Sequence, residues 1–311
     1  MKFSIAEKSS LSLLILLALS HAATASYQTN ITDNLRVSTS LGLLNTESNE
    51  YVYDYNNRKV SQLDWKAENT RIIKMDVSWD LLSRLTLTAR GWSTLSTADG
   101  VMDDYDWLKP SQTKWTDWSH HEKTNLNYAN EIDLNAKFWF LKQDNYRIAV
   151  MSGYQQNNNS WTAFGGQFNY DNGNKIFSMP SNVVGIGYKQ KFDMTYLGLA
   201  GSYQYQKFEF NTLLKYSRWV HANGHDEHYK RKLSFQDSSK NSRYYALVVD
   251  AGYYITPSTK LFVEAAWNQY SEGKGATQIL DRNNGTSQNN TDGSGIAQTN
   301  QTIAIGLQYK F

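Results

Sequence analysis

Glu131-Ile132-Asp133-Leu134-Asn135-Ala136-Lys137-Phe138-Trp139-Phe140 alternates without a break. Successive side chains of an extended chain point to opposite faces, so Ile132, Leu134, Ala136, Phe138 and Phe140 share one side and Glu131, Asp133, Asn135, Lys137 and Trp139 the other. The same period of two returns at Ile73, Met75, Val77, Trp79 and Leu81, at Phe208 to Tyr216, at Tyr245 to Tyr253, and at Leu261, Val263, Ala265 and Trp267. A soluble sandwich would also alternate. Three features favour a membrane barrel instead. Several runs extend for about 20 residues, against the ~5 to 6 usual for globular strands. The 21 tyrosines and 10 tryptophans gather near run ends, as interfacial girdles do. The last run, Ile303, Ile305, Leu307, Tyr309 and Phe311, keeps alternating to a terminal phenylalanine, so the final strand is expected to end with the chain.

The 311 residues carry 31 basic and 29 acidic side chains and no cysteine. The near balance of charge gives no argument for nucleic-acid binding, and disulfides are excluded. Lys2 and Lys8, the apolar stretch Leu11 to Ser20 and Ala23-Thr24-Ala25 read as a signal peptide over residues 1–25. The mature domain, 26–311, contains no apolar run long enough for a membrane helix. An exported chain with these strands is therefore expected to be an outer-membrane barrel.

Connections come in two sizes. Short ones fall near Leu82-Ser83, Gln143-Asp144, Tyr205-Gln206-Lys207 and Pro257-Ser258. Long polar ones read through Asn45 to Arg58, Thr97 to Asn125, a segment after Asn157, Val220 to Ser242, and Ser271 to Asn300. Outer-membrane barrels put short turns on the periplasmic side and long loops outside. Five long and four short connections require ten antiparallel strands with both termini periplasmic, and place Glu50, Asp104, Asp106, His121, Asp226 and His228 on one outward rim. Ten strands leave a lumen filled by side chains such as Asp133, Lys137 and Glu264, which argues against a porin.

Two pairs on that rim carry chemistry. In Asp226-Glu227-His228 the carboxylate and the imidazole face the same side and can share a proton or a water. Asp104-Tyr105-Asp106 repeats the spacing with two acids, whose like charges disfavour joint ionisation. Such pairs in polar loops are ordinarily solvated surface; the shared rim gives them meaning. A metal site is the competing use, but the pairs lie about 120 residues apart without a zinc spacing, and no metal is expected.

Arg58 to Lys66, Met102-Asp103-Asp104-Tyr105-Asp106-Trp107, Asn127 to Glu131 and Asp226-Glu227-His228-Tyr229 resemble the signature segments of the omptins, the ten-stranded outer-membrane proteases of Gram-negative bacteria, over essentially the whole mature chain. The Met-Asp-Asp-Tyr-Asp-Trp wording, Ser242-Arg243-Tyr244-Tyr245 and Glu272-Gly273-Lys274-Gly275 are most similar to the plasminogen-activator branch. The resemblance implies catalysis by Asp104, Asp106, Asp226 and His228 without a protein nucleophile: His228, oriented by Asp226, activates a water that Asp104 and Asp106 help to hold. It implies polypeptide substrates cut near basic residues, among them cationic antimicrobial peptides and plasma proteins such as plasminogen. It further implies folding by the barrel-assembly machinery and action as a monomer with its site facing outside. The rival from another class is a non-enzymatic adhesin or invasin; both acid pairs being intact favours the protease.

By the same resemblance Glu50 matches an acid of the specificity pocket, and His121 a rim histidine lining the groove, while His225 matches no role. The second pocket acid, expected two residues before Asp226, is Gly224 here, so basic preference should persist but relax. No cofactor is implied beyond lipopolysaccharide as an activating lipid. Tyr154 and Lys191 match its binding positions, with Lys240 a further candidate, but Gln156 and Asn158 stand where the family has an acid and an arginine; weakened dependence on the lipid is expected. Lys230-Arg231-Lys232 reads as a solvated basic run, and the Asn-x-Thr triplets near Asn284, Asn289 and Asn300 as polar loop chemistry.

Overall fold

The computed structural model describes residues 34–311; the signal-peptide expectation lies outside them. Eleven antiparallel strands follow in chain order: β1 (Leu35–Tyr53), β2 (Lys59–Leu82), β3 (Leu85–Thr94), β4 (Ala98–Asp106), β5 (Asp117–Lys142), β6 (Tyr146–Tyr170), β7 (Lys175–Tyr205), β8 (Phe208–His228), β9 (Leu233–Tyr254), β10 (Thr259–Asp281) and β11 (Thr286–Lys310). Each pairs with the next except β3 with β4, and β1 pairs with both β2 and β11, which closes the ring. Both β3 and β4 lie between β2 and β5. They are one stave interrupted at residues 95–97, so eleven segments make the ten staves expected from the connections.

The periodicity maps onto the two faces with the apolar side outward. Ile132 and Leu134 are 56% and 51% exposed, whereas Asp133 between them is fully buried. The outward set at the same level includes Leu41, Ile73, Val150, Leu199, Leu214, Leu247, Val263 and Ile305, a continuous apolar belt. Tyr154, Tyr216, Tyr245 and Trp267 stand exposed at its upper edge, and Tyr146, Tyr203, Tyr253 and Tyr309 at its lower edge. These are the aromatic girdles.

The segments read as long polar loops are mostly strand. Asn45 to Val52 stays in register against Gln301 to Ser294, and the outer turns shrink to residues 54–58, 107–116, 171–174, 229–232 and 282–285. The reason is physical: above the bilayer a strand needs its ladder bonds and an inward face, but no apolar outer face. Loss of outward apolar residues marks the exit from the membrane, not the end of the strand. From Tyr216 to Asp226 is ten residues along β8, which lifts Asp226 about 25 Å above the girdle at ~3.3 Å per residue and ~40° tilt.

At membrane level the lumen is polar and filled. Lys74 Nζ meets Glu264 Oε1 at 2.5 Å and Arg90 Nη2 meets Glu264 Oε2 at 2.7 Å. Lys215 pairs with Asp133, which also accepts from Tyr196 Oη at 2.7 Å, and Lys215 donates to Gln155 Oε1 at 3.0 Å. Removing one partner of such a buried pair strands the other charge. Lys215→Met is therefore expected to cost about 3 to 5 kcal/mol, read as a lowered urea midpoint of unfolding in micelles; a change below about 1 kcal/mol would contradict this role for the pair.

Candidate active site

Leu63 on β2 lies in the ladder between Glu50 on β1 and Asp104 on β4, and Asp104 faces Ser119 on β5. Directly opposed residues share a face of the sheet, so Glu50, Asp104 and Ser119 all point inward. Asp106 follows Asp104 on the same face by the i, i+2 rule and lies opposite Ser61 and Asp117. Farther round the ring, Asp226 and His228 project inward from β8, opposite Tyr188 and Ile186 of β7. Three staves lie between β4 and β8 in one direction and five in the other, so the two pairs face each other across the mouth.

Beneath them lies an apolar floor. Leu63, Trp65, Met102, Leu126, Trp161, Ile186 and Tyr188 form one buried cluster, in which Trp65 stacks on Tyr188 with centroids 5.6 Å apart and meets Trp161 at a tilt, 6.1 Å away. The sequence positions explain the arrangement: Met102 precedes Asp104 by two and Trp65 follows Leu63 by two, so each inward residue one step down the strand is apolar. The floor keeps bulk water from the lower face of the acids.

Its electrostatic consequence is large. Burial raises the Asp104 carboxyl to about 8, with Asp106 adding to the rise and His228 opposing it. Asp106 is raised too, by burial first, although a hydrogen bond from Ser61 works against the shift. Asp104 therefore holds a proton near neutral pH. Across the mouth, His228 Nε2 lies 2.7 Å from Asp226 Oδ2. Burial pulls the imidazole down, but the charge and hydrogen bond of Asp226 outweigh it, so its pKa ends above 6.5. Asp104 also acts on His228 through space, which places the two pairs within one electrostatic field. The arrangement offers an imidazole oriented through Nε2 and, across the mouth, a carboxyl that holds a proton.

Glu50 joins this cluster: it is buried, and desolvation, then Asp226, Asp237 and Asp104, raise its pKa. His121 sits a layer lower, 1% exposed, with Nε2 3.1 Å from Ser119 Oγ and its ring edge-on to Phe168 at 5.5 Å. Burial lowers its pKa to about 4, so it is neutral. His120 and His225 lie on the outer surface, paired with Asp103 at 2.9 Å and Glu227 at 3.2 Å. Lys230, Arg231 and Lys232 are exposed in the β8–β9 turn, as the basic run implies. Among the described residues no group of three or more histidine and acidic side chains has the geometry to hold a metal ion.

On the outer wall Tyr154 Oη and Gln156 Nε2 both donate to Asp193 Oδ1, at 2.8 and 2.6 Å. Lys191 Nζ lies 3.3 Å from Asp193 Oδ2, and Asn158 donates to Asn130 at 3.0 Å. Lys240 is exposed on β9, two strands from Lys191. Two site residues escaped the sequence reading. Ser61 Oγ reaches toward Asp104 Oδ1 at 3.4 Å, and Asp237 lies directly opposite Gly224. The turn at residues 229–232 sets that second pairing, and only its position in the hairpin could have revealed it.

The family model for the Omptin family matches residues 31–311. The chain is 48% identical over 300 residues to the plasminogen activator of Yersinia pestis, covering 96% of each. It is 44% identical over 288 residues to protease 7 of Escherichia coli K12, covering 90% of this chain and 91% of that one. The crystal structure of the outer membrane protease OmpT from Escherichia coli superimposes with a TM-score of 0.87 at 43% identity, over 92% of this chain and 99% of that one. With its closed barrel, and with the acid and histidine pairs at the outer mouth, this chain belongs to the omptin family and is an outer-membrane endopeptidase.

Proposed function

We propose that the protein hydrolyses polypeptides at the cell surface with a water activated between Asp104 and Asp106 on one side and Asp226 and His228 on the other. The observation that carries this is the 2.7 Å Asp226–His228 contact facing a carboxyl that burial keeps protonated. Asp226 accepts from the Nε2–H, which leaves Nδ1 free as the base. Nδ1 takes a proton from the water as its oxygen attacks the scissile carbonyl carbon, and the protonated Asp104 donates to the carbonyl oxygen as negative charge develops there. Collapse of the tetrahedral adduct re-forms the C=O and breaks the C–N bond, the adduct hydroxyl returning its proton to Asp104 and the imidazolium giving its own to the leaving amine. The buried Glu50 supports a preference for a basic side chain beside the scissile bond, and with it substrates such as cationic peptides and basic sites in plasma proteins, plasminogen included.

Lipopolysaccharide is proposed as an outer-wall ligand at Tyr154 and Lys191. The lysine is already paired with Asp193, and Gln156 and Asn158 bring no charge, which supports weaker dependence on the lipid than an acid and an arginine there would create.

Replacing the base should remove activity. His228→Ala is expected to lower hydrolysis of a quenched Arg-Arg peptide by about 10²- to 10⁴-fold, with heat-dependent gel mobility confirming the fold. The wild type should retain a measurable rate without lipopolysaccharide. An unchanged His228→Ala rate would refute the base assignment, and a steep lipid requirement would refute the reading of Gln156 and Asn158.

The pH profile supplies a second test. His228 must be neutral to accept the proton, and its raised pKa moves the acid limb above pH 6.5. Asp104 must be protonated, so rate is lost as pH rises through about 8. A bell with these limbs is expected, and Asp104→Asn, which cannot ionise, should flatten the alkaline one. An alkaline limb unchanged in that variant would show that another group sets it.

A further inference from the structure

Glu50 and Asp237 are 1% and 5% exposed, and their carboxyls share a hydrogen bond, so one of them holds a proton. Glu50 Oε2 has no hydrogen-bond partner. Among the described residues neither carboxyl forms an ion pair with a lysine, arginine or histidine, and Asp226, a third acid, acts on both. Acids desolvated in this way without a cation are costly to keep. The lumen below shows the contrast, since Asp133 and Glu264 are each matched to a base. Burial raises Asp237 to about 7 and pushes Glu50 well above its ordinary value, so an arriving cation would release the shared proton.

The space beside Asp237 is open for a reason. Gly224 faces inward from β8, directly opposite Asp237 of β9. A Cβ on Gly224 would lie 3.3 Å from Asp237 Cβ, 3.5 Å from its Oδ2 and 3.4 Å from Tyr188 Oη. A side chain there would fill the room in front of Asp237. A cavity of about 560 Å³ opens at this point, lined by Gly224, Asp237 and Thr277 among others.

We infer that Asp237 is a specificity residue: it supplies from the neighbouring strand the second carboxylate that position 224 lacks, and with Glu50 it binds the guanidinium or ammonium of the residue whose carbonyl is attacked. This rests on the hydrolytic reading above and deepens it. A Cβ at position 224 lies only 3.3 Å from Asp237 Cβ, so the charge moves to the adjacent strand and stays in the pocket. Two carboxyls around one site also suit the planar fork of arginine. Basic preference is thus retained in full, not relaxed.

The test compares kcat/KM for two quenched peptides differing only in arginine or its neutral isostere citrulline at the cleaved position. Wild type should strongly prefer arginine. Asp237→Asn should lower kcat/KM for the arginine peptide by about tenfold or more and leave the citrulline peptide near its wild-type value. Moving the acid back, in Gly224→Asp with Asp237→Asn, should restore the preference. Should Asp237→Asn fail to fold by gel mobility, the same ratio in Asp237→Ser decides. An arginine-to-citrulline ratio unchanged from wild type in either variant overturns the inference while leaving the protease reading intact. A wild type without arginine preference overturns the basic reading and this inference together; activity surviving in His228→Ala locates the failure in the catalytic assignment instead.

Discussion

In hydrocarbon no water is available to satisfy a bare N–H or C=O, so a sheet that crosses a bilayer has to close on itself. Here β1 closes the ring by pairing from Arg36 to Val52 with β11 while also pairing with β2. Everything else follows from that closure. The outer face is released to lipid and becomes apolar. The inner face, cut off from bulk water, favours charges in matched sets, which is why Lys74, Arg90 and Glu264 form one group and Lys215 and Asp133 another. Such pairs keep the lumen filled and the wall in a fixed register.

The same wall continues far above the membrane, and its inner face changes character there. Aromatic and aliphatic residues around Trp65, Trp161 and Tyr188 form a floor, and acids stand above it with fewer bases than carboxylates. The ion pairs of the lower lumen give it structure, whereas the unmatched acids of the mouth leave it ready for a ligand. One barrel thus runs two opposite electrostatic regimes, separated by a few layers of side chains. The long hydrogen-bonded strands hold the mouth rigid enough for Asp226 to fix His228 at 2.7 Å.

Much of this was legible in the residues. The alternation at Glu131 to Phe140 gave the strand, its apolar side and, through the connections, ten staves. The spacing of Asp226 and His228 gave two side chains on one face. What was not legible came from two sources. Polar stretches such as Asn45 to Tyr53 look like loops because hydrophobicity reports the solvent outside the wall, not the ladder within it; hydrogen bonds along the backbone leave no mark on side-chain polarity. Pairings such as Gly224 with Asp237 depend on where a hairpin turns, and the turn at residues 229–232 carries Lys-Arg-Lys instead of a glycine or asparagine that would have announced it. His121 shows the limit of position as a guide, since it is buried a layer below the acids. The break between β3 and β4 likewise has no signal beyond a polar Ser96-Thr97.

The central claim is that a water, and no side chain, attacks the peptide bond. Rapid-quench samples taken within the first turnover, at substrate well above enzyme, would be read by intact-mass spectrometry of the enzyme and by product release. The account requires no acyl adduct on the protein and no burst of the first product. A mass increase matching the acyl half of the substrate on any residue near the mouth, Ser61 and Ser119 included, would contradict it.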